Sequence, residues 1–324
     1  MSGLRRRIED VIAELRANWR SDAWWAERIR TRVNSPVQRL LRSRENTLNY
    51  LEEDWNVLVV LDACRADLFE NVVDEDYFDD VTTVRSPATE TKEWLNRTFD
   101  GTFGDIVYVA GNPMVSNVKP GAFHDLIEVW RDAWDEESGV LRPEPITEAA
   151  RTALREHPNK RVIVHYMQPH APFIDYPELN FSGDADVWGL EVSEAHPNFD
   201  AGDDYNNPWE ALEAGAIDAA DVWEAYEHNL EIVMDEVAAL LESTDRRVVV
   251  TSDHGNAFGE RSWPIPVRLF GHPGHRRHSA LTDVPWAVVD GKRRGINTSD
   301  VSSETEATER EVKEHLAALG YAEE

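Results

Sequence analysis

A single cysteine, Cys64, rules out a disulfide within the chain and any zinc cluster built on thiolates. Lysine is scarce as well, at five of the 33 basic residues. No apolar run reaches the roughly 18 residues that a membrane-spanning helix needs. The opening stretch MSGLRRRIEDVIAEL lacks the unbroken apolar segment of a signal peptide. The expected location is therefore the cytoplasm, with contact at the inner membrane face only through the first residues. Basic charge is in short supply overall, since 62 Asp and Glu stand against 33 Lys and Arg for a net −29. Such a surface repels nucleic acid, so no nucleic-acid partner is expected.

The material for a folded core is ample. Of the 324 residues 41% are hydrophobic and 12 are Trp, enough for one large α/β domain or two small ones. The acids lie between apolar runs throughout the chain and are not gathered in a tail. That distribution resembles proteins of haloarchaea, whose carboxylate surfaces work in molar salt, where screening removes the repulsion between like charges. A halophilic protein with an acidic surface is the expectation.

The region 1–50 stands apart. Positions 1–45 carry 11 Arg against six acids, a net of +5 that leaves −34 on the rest. Ile8, Val11, Ile12 and Leu15 recur at helical spacing, Trp19, Trp24 and Trp25 follow, and Pro36 separates a second short helix with Leu40 and Leu41. A basic amphipathic helical arm is expected, packed on the acidic body or resting on an anionic membrane as a peripheral contact. Over 51–297 strands alternate with helices. Apolar runs of strand length occur at 56–61, 106–110, 161–167, 246–251 and 285–289, mostly without alternation, as strands buried on both faces do. Helical stretches lie at 145–156 and 209–241, the latter with Trp223, Tyr226, Leu230, Val233, Val237 and Leu241 on one stripe. The fold class this implies is α/β, a mostly parallel central sheet with helices on both faces. The polar stretch 176–208 reads as a long insertion or lid. Residues 298–324 read as a linker followed by a helix from about Glu306 to Leu319.

Ligands of an open parallel sheet bind at the carboxyl ends of its strands, so polar residues directly after apolar runs are the ones to examine. In NVLVVLDACRAD, Asp62 stands at a strand tip with Arg65 and Asp67 behind it. Asp62 reads equally as a metal ligand or as a cap on the following helix. Arg65 reads as an anion holder or as a neutraliser of nearby acids. In RRVVVTSDHGNAFGE, Asp253 and His254 are adjacent, before Gly255. A carboxylate with an imidazole suits Zn²⁺ or Mn²⁺ better than Mg²⁺ or Ca²⁺. RVIVHYMQPHAPF supplies His165, read as a core histidine, and His170, read as facing the pocket from a polar turn. GHPGHRRH adds His272, His275 and His278 with Arg276 and Arg277, which suit an anionic group or a second metal, or form a solvated basic loop.

LDACRAD, PHAPF, TSDHG with a following GE, then GH and VPW, taken in order, resemble the sulfatase-type branch of the alkaline phosphatase superfamily over roughly 56–290. The resemblance implies an alkaline phosphatase-like fold and a metal held by Asp62, Asp253 and His254. It also implies that the metal touches a hydroxyl or formylglycine nucleophile between the first two strands. The corresponding segment, VRSPATETKEWLNRTF, has no Cys or Ser followed by Pro and Arg at the spacing that matures to formylglycine. A plain hydroxyl is expected instead, as in the phosphotransferases and phosphatases of the same superfamily. Thr91 fits best, at the start of a helical stretch whose amino terminus helps bind an anion. Ser86 and Thr89 stay open, and Thr91 also reads as a helix cap. No Asp-x-x-x-His pair for a second site occurs between Phe173 and Arg246. One divalent ion is therefore expected, Mn²⁺ or Zn²⁺ ahead of Ca²⁺ or Mg²⁺.

The expected function is a metal-dependent hydrolase or transferase for a phosphate or sulfate ester of a sugar, lipid head group or small metabolite. Thr91 would act as nucleophile and metal ligand and form a covalent intermediate. Arg65, His170 and His272 would offset charge on the transferred group and protonate the leaving group. The alternatives are a true sulfatase, or a catalytically degenerate member that binds an anionic glycan or lipid head group without turnover.

Overall fold

A computed structural model describes residues 46–135, 139–181, 205, 207–263, 266–276, 278–299, 301 and 307–318. The basic arm and most of the stretch read as a lid lie outside the described residues. The strands are β1 Val57–Asp62, β2 Asp80–Arg85, β3 Phe103–Ala110, β4 Phe123–Glu128, β5 Arg161–Pro169, β6 Val248–Ser252, β7 Ala257–Arg261, β8 Arg268–Gly271 and β9 Asp283–Val289. The helices are α1 Ala66–Val72, α2 Thr91–Thr98, α3 Met114–Val118, α4 Val129–Asp132, α5 Glu144–Glu156, α6 Pro208–Ala214, α7 Ala219–Glu242, α8 Ser279–Thr282 and α9 Glu309–Ala318.

Seven strands form one sheet in the order β2-β9-β6-β1-β5-β3-β4, and β7 pairs with β8 in a separate hairpin. From β6 to β4 neighbouring strands are parallel, whereas β9 runs antiparallel to both β6 and β2. The all-apolar run VLVVL makes β1 a central strand, because each of its residues is buried and only a sheet covered on both faces removes both sides from water. Tyr166 of β5 faces one cover, where its hydroxyl meets Thr147 of α5 at 2.8 Å, and α7 packs on the same strand. His165 faces the other cover, edge-on to Trp94 of α2 with ring centroids 6.0 Å apart. Fold class and sequence agree: a mixed α/β architecture with a mostly parallel sheet between helices.

The five expected strands all belong to this sheet, and β2 and β4 extend it at either edge. Their sequences, DVTTVR and FHDLIE, are polar because edge strands keep a solvated side. The helix expected over 209–241 is two helices. Gly215 adopts a left-handed conformation (φ 75°) that closes α6. The Asp218 side chain then accepts from Ala220 N and starts α7. Near the end of the described chain, α9 buries Val312 and Leu316 and sets His315 edge-on to Trp130 at 4.8 Å. Among the described residues no helix is long and apolar enough to cross a membrane.

Candidate metal centre

Because β1 and β6 are parallel neighbours, the residues that follow them emerge at the same edge of the sheet. Asp62 ends β1, and Asp253 and His254 follow β6 directly. All three are buried, and one ligating atom from each lies within 4.8 Å of the other two. The His254 Nε2 is 3.8 Å from Asp62 Oδ1 and 3.4 Å from Asp253 Oδ2. Among the described residues no other group of three His, Cys, Asp or Glu side chains converges in this way.

Each of the three side chains is anchored by one polar atom and presents the other. Asp62 Oδ2 accepts from the Asn112 amide, while Oδ1 is buried with no hydrogen-bond partner among the described residues. Asp253 Oδ1 accepts from Ala63 N at 3.0 Å and His254 N at 2.9 Å, while Oδ2 is likewise buried and unpartnered. His254 Nδ1 lies 2.9 Å from Gly255 O, an acceptor only, so Nδ1 carries the proton and Nε2 presents a lone pair. Two anionic oxygens and a nitrogen lone pair therefore face one another in a buried space. Burial of such groups costs several kcal/mol each unless a cation lies between them. The donor set of two carboxylate oxygens and one imidazole nitrogen fits a divalent ion, and the orphaned oxygens are the observation that supports the fit.

The electrostatics agree. Burial raises the Asp62 carboxyl well above its ordinary range and the charge of Asp253 raises it further, against hydrogen bonds from Asn112 and Thr91. Burial also pushes Asp253 upward, but His254, His165, the Ala63 N–H and Thr91 more than offset this and leave it below the usual value. Burial pushes His165 and His170 down to about 4. The backbone is adapted to the site. Ala63 adopts φ 58°, pinned through its N–H to Asp253 and through its carbonyl, which accepts from the Tyr226 hydroxyl. Gly255 lies where a Cβ would come within 2.2 Å of Ala280 O, so only glycine lets the chain turn away beneath α8.

Three hydroxyls were open as the reactive one, and the structure separates them. Ser86 donates to the Asp253 carbonyl and accepts from Ala88 N. Thr89 donates to Pro273 O at 3.3 Å. Thr91, the first residue of α2, has its Oγ1 3.2 Å from His254 Nε2, and its hydroxyl favours the charged forms of both Asp62 and Asp253. His170 and His272 meet Nε2 to Nε2 at 2.9 Å, and the His272 ring lies 4.9 Å from that of His254. The His170 Nδ1 donates to Ala171 O, so its Nε2 is the acceptor and the His272 Nε2 carries the hydrogen between them.

Arg65 does not offer its charge freely at this edge. Its guanidinium forks onto Asp67 at 2.8 and 2.6 Å, reaches Glu260 at 2.5 Å and Asn256 O at 3.1 Å, and lies over Trp223 at 5.0 Å. Of the basic loop, His278 caps α8 by accepting from Ala280 N, His275 Nδ1 meets Glu93 at 3.0 Å, and Arg277 lies outside the described residues. Sequence reasoning missed Asn112, which follows β3 and holds both Asp62 and the Met114 N–H. It stands two residues beyond an apolar strand run, yet a search confined to ionisable residues passes over an amide.

No family model and no curated protein matches the sequence. Among solved structures, the chain overlays on the integral membrane lipooligosaccharide phosphoethanolamine transferase A (EptA) of Neisseria meningitidis at 15% identity and a TM-score of 0.45. The overlay covers 89% of this chain and 59% of that one, so the chain spans less than two thirds of that protein's length. A putative sulfatase from Bacteroides thetaiotaomicron overlays at 11% identity and a TM-score of 0.42, covering 84% of this chain and 72% of that one. The C-terminal periplasmic domain of EptC from Escherichia coli, in complex with Zn, overlays at 12% identity and a TM-score of 0.38, covering 75% of each chain. These overlays are partial and remote, and the chemistry of the site stands on its own residues.

Proposed function

We propose that the chain is a metal-dependent hydrolase or transferase for a phosphate or sulfate ester, built as a member of the sulfatase-type branch of the alkaline phosphatase superfamily. The observation that carries this reading is the position of Thr91 Oγ1, 3.2 Å from the nitrogen that faces two unpartnered buried carboxylate oxygens. Asp62, Thr91, Asp253 and His254 would hold one divalent ion, Mn²⁺ or Zn²⁺ by the imidazole in the set. When bound, the ion would lower the pKa of the Thr91 hydroxyl and polarise the ester.

The remaining chemistry belongs to the protein. The Thr91 hydroxyl loses its proton to solvent, its oxygen attacks the phosphorus or sulfur in line, a bond to Oγ1 forms, and the bond to the ester oxygen breaks. Asn112 and the Ala63 N–H hold the carboxylates so that their free oxygens do not turn away. His272 would supply a hydrogen to an oxygen of the transferred group or to the departing alcohol by giving up the Nε2–H bond that it makes to His170. Water or an acceptor alcohol then attacks the phosphorus or sulfur, the bond to Oγ1 breaks, and the proton that the attacking oxygen gives up restores the Thr91 hydroxyl. Phosphate is favoured over sulfate because the hydroxyl is a plain Thr where sulfatases carry a residue that matures to formylglycine. Arg65 is assigned to holding the site edge, since its donors are taken by Asp67 and Glu260.

The test is to incubate the protein with panels of phosphate and sulfate esters, quench in acid, and map the modified peptide by mass spectrometry. A phosphoryl group on Thr91 that disappears with chelator is the expected result. A sulfuryl group there would make the chain a sulfatase. Modification at Ser86 or Thr89, or turnover undiminished by chelator, would overturn the mechanism.

A further inference from the structure

Away from this site, a groove of about 220 Å³ opens between the end of α1 and the flank of α7. Val72, Val73, Phe78, Met234, Ala238 and Leu241 line it, all only partly buried. Its rim is acidic, with Asp74, Glu231 and Asp235 exposed, and among the described residues no Lys or Arg lines it. Tyr77 stands beside it at 63% exposure, which is unusual for so large an apolar side chain on a well-packed protein. The volume takes one or two large side chains and no more, so whatever covers the groove does so with an anchor inserted from a longer segment.

We infer that residues 8–25 of this same chain cover the groove, with Trp19 as the anchor. Ile8, Ile12, Leu15 and Trp19 follow one another at steps of four, three and four, which puts them on one face of a helix. The arm's net charge of +5 complements a rim of three carboxylates on a body that carries −34. Reach is not limiting. Leu48 N donates to Arg85 O at the far end of β2, so the chain arrives at one end of the edge strand. Phe78 lies just beyond the other end, about 20 Å away for six extended residues. The residues between Trp19 and Leu48 span about 40 Å even if fully helical. The inference is independent of the chemistry assigned to the metal centre.

A photo-crosslinker (p-benzoylphenylalanine) in place of Trp19 in the full-length protein tests this, with crosslinked peptides mapped by mass spectrometry. Mixtures of isotope-labelled and unlabelled chains separate links within a chain from links between chains. Crosslinks within one chain to 72–78 or 234–241 are expected. Links elsewhere on the body, to a second chain, or only to lipid in anionic vesicles would overturn the proposal. As a second readout, Ala238→Arg should leave the melting temperature of the body in place. It should also speed tryptic cleavage at the arginines of the arm by about tenfold or more, because a filled, basic groove releases the segment. Unchanged cleavage would count against the groove as the docking site.

Discussion

The two ends of the central sheet treat buried charge in opposite ways. At the amino ends of the strands the buried cations Lys160 and Arg246 have partners. Lys160 Nζ donates to Gly104 O, Asn297 O and Ser299 Oγ at 2.6, 2.9 and 2.6 Å. Arg246 donates to Leu154 O and Lys160 O, and Asp245 accepts from both Lys292 and Arg294 at 2.7 Å. At the carboxyl ends, Asp62 Oδ1, Asp253 Oδ2 and His165 Nε2 are buried without partners among the described residues. A fold keeps such groups only where another requirement outweighs their cost. One end holds the sheet together, and the other leaves buried acceptors unpartnered, as the proposed cation site requires.

The contrast can be broken experimentally at several strengths. The largest effect should come from Thr91→Ala, which removes the oxygen proposed to react and should lower turnover by about 10³-fold or more, with a smaller loss of metal affinity than a carboxylate variant shows. Full activity in that variant, measured at saturating metal, would remove the nucleophile assignment. Next comes Asp62→Asn. It should weaken metal binding about 100-fold or more. It should also stabilise the metal-free protein by about 1–2 kcal/mol in urea unfolding, because it relieves two facing carboxylates. Destabilisation of the metal-free form would mean that Asp62 serves the fold.

At the opposite end the signs reverse. Arg246→Ala should cost about 2–3 kcal/mol of stability, since it leaves buried carbonyls unpaired, with metal affinity and turnover unaltered. A shift in metal affinity there would merge the two regions into one. A further contrast is the acid response of the metal-free protein. His165 and His170 titrate at about 4 in the folded state and about 6.5 when unfolded, so between those values the unfolded chain binds protons that the folded one refuses. Above pH 6.5 they contribute nothing to the pH dependence. As pH falls from about 6.5 to 4 each should remove about 1.4 kcal/mol of stability per pH unit. Asp245, held down at about 2 by Lys292 and Arg294, keeps its contribution until pH falls below the ordinary Asp range. Acid should therefore act first on the carboxyl end, which urea midpoints at stepped pH will show. A midpoint that stays flat between pH 6.5 and 4 in Asp62→Asn, which lacks the opposing gain from the raised Asp62 carboxyl, would remove the neutral buried histidines.

How much of this could be read from the sequence follows from the same contrast. The central strands were legible because burial on both faces demands unbroken apolar runs, and VLVVL and VVV carry that demand in their composition. Asp62, Asp253 and His254 were legible because strand order need not be known to see which residues stand at strand tips. The edge strands were not, since DVTTVR has the composition of a loop and becomes a strand only by pairing with β9. Nor were the partners of Arg65, because Glu260 lies 195 residues away and only the fold brings them together. Gly215 was readable in principle as the stop of a helix, and the apolar stripe on both sides of it concealed the break.

The most direct measurement is a calorimetric titration of the chelator-stripped, full-length protein with Mn²⁺ and with Zn²⁺, paired with elemental analysis and repeated on Asp253→Asn. Saturation at about one ion per chain, with affinity reduced about 100-fold or more in the variant, is the predicted result. Absence of saturable binding, or equal affinity in the two proteins, would contradict a metal centre at Asp62, Asp253 and His254.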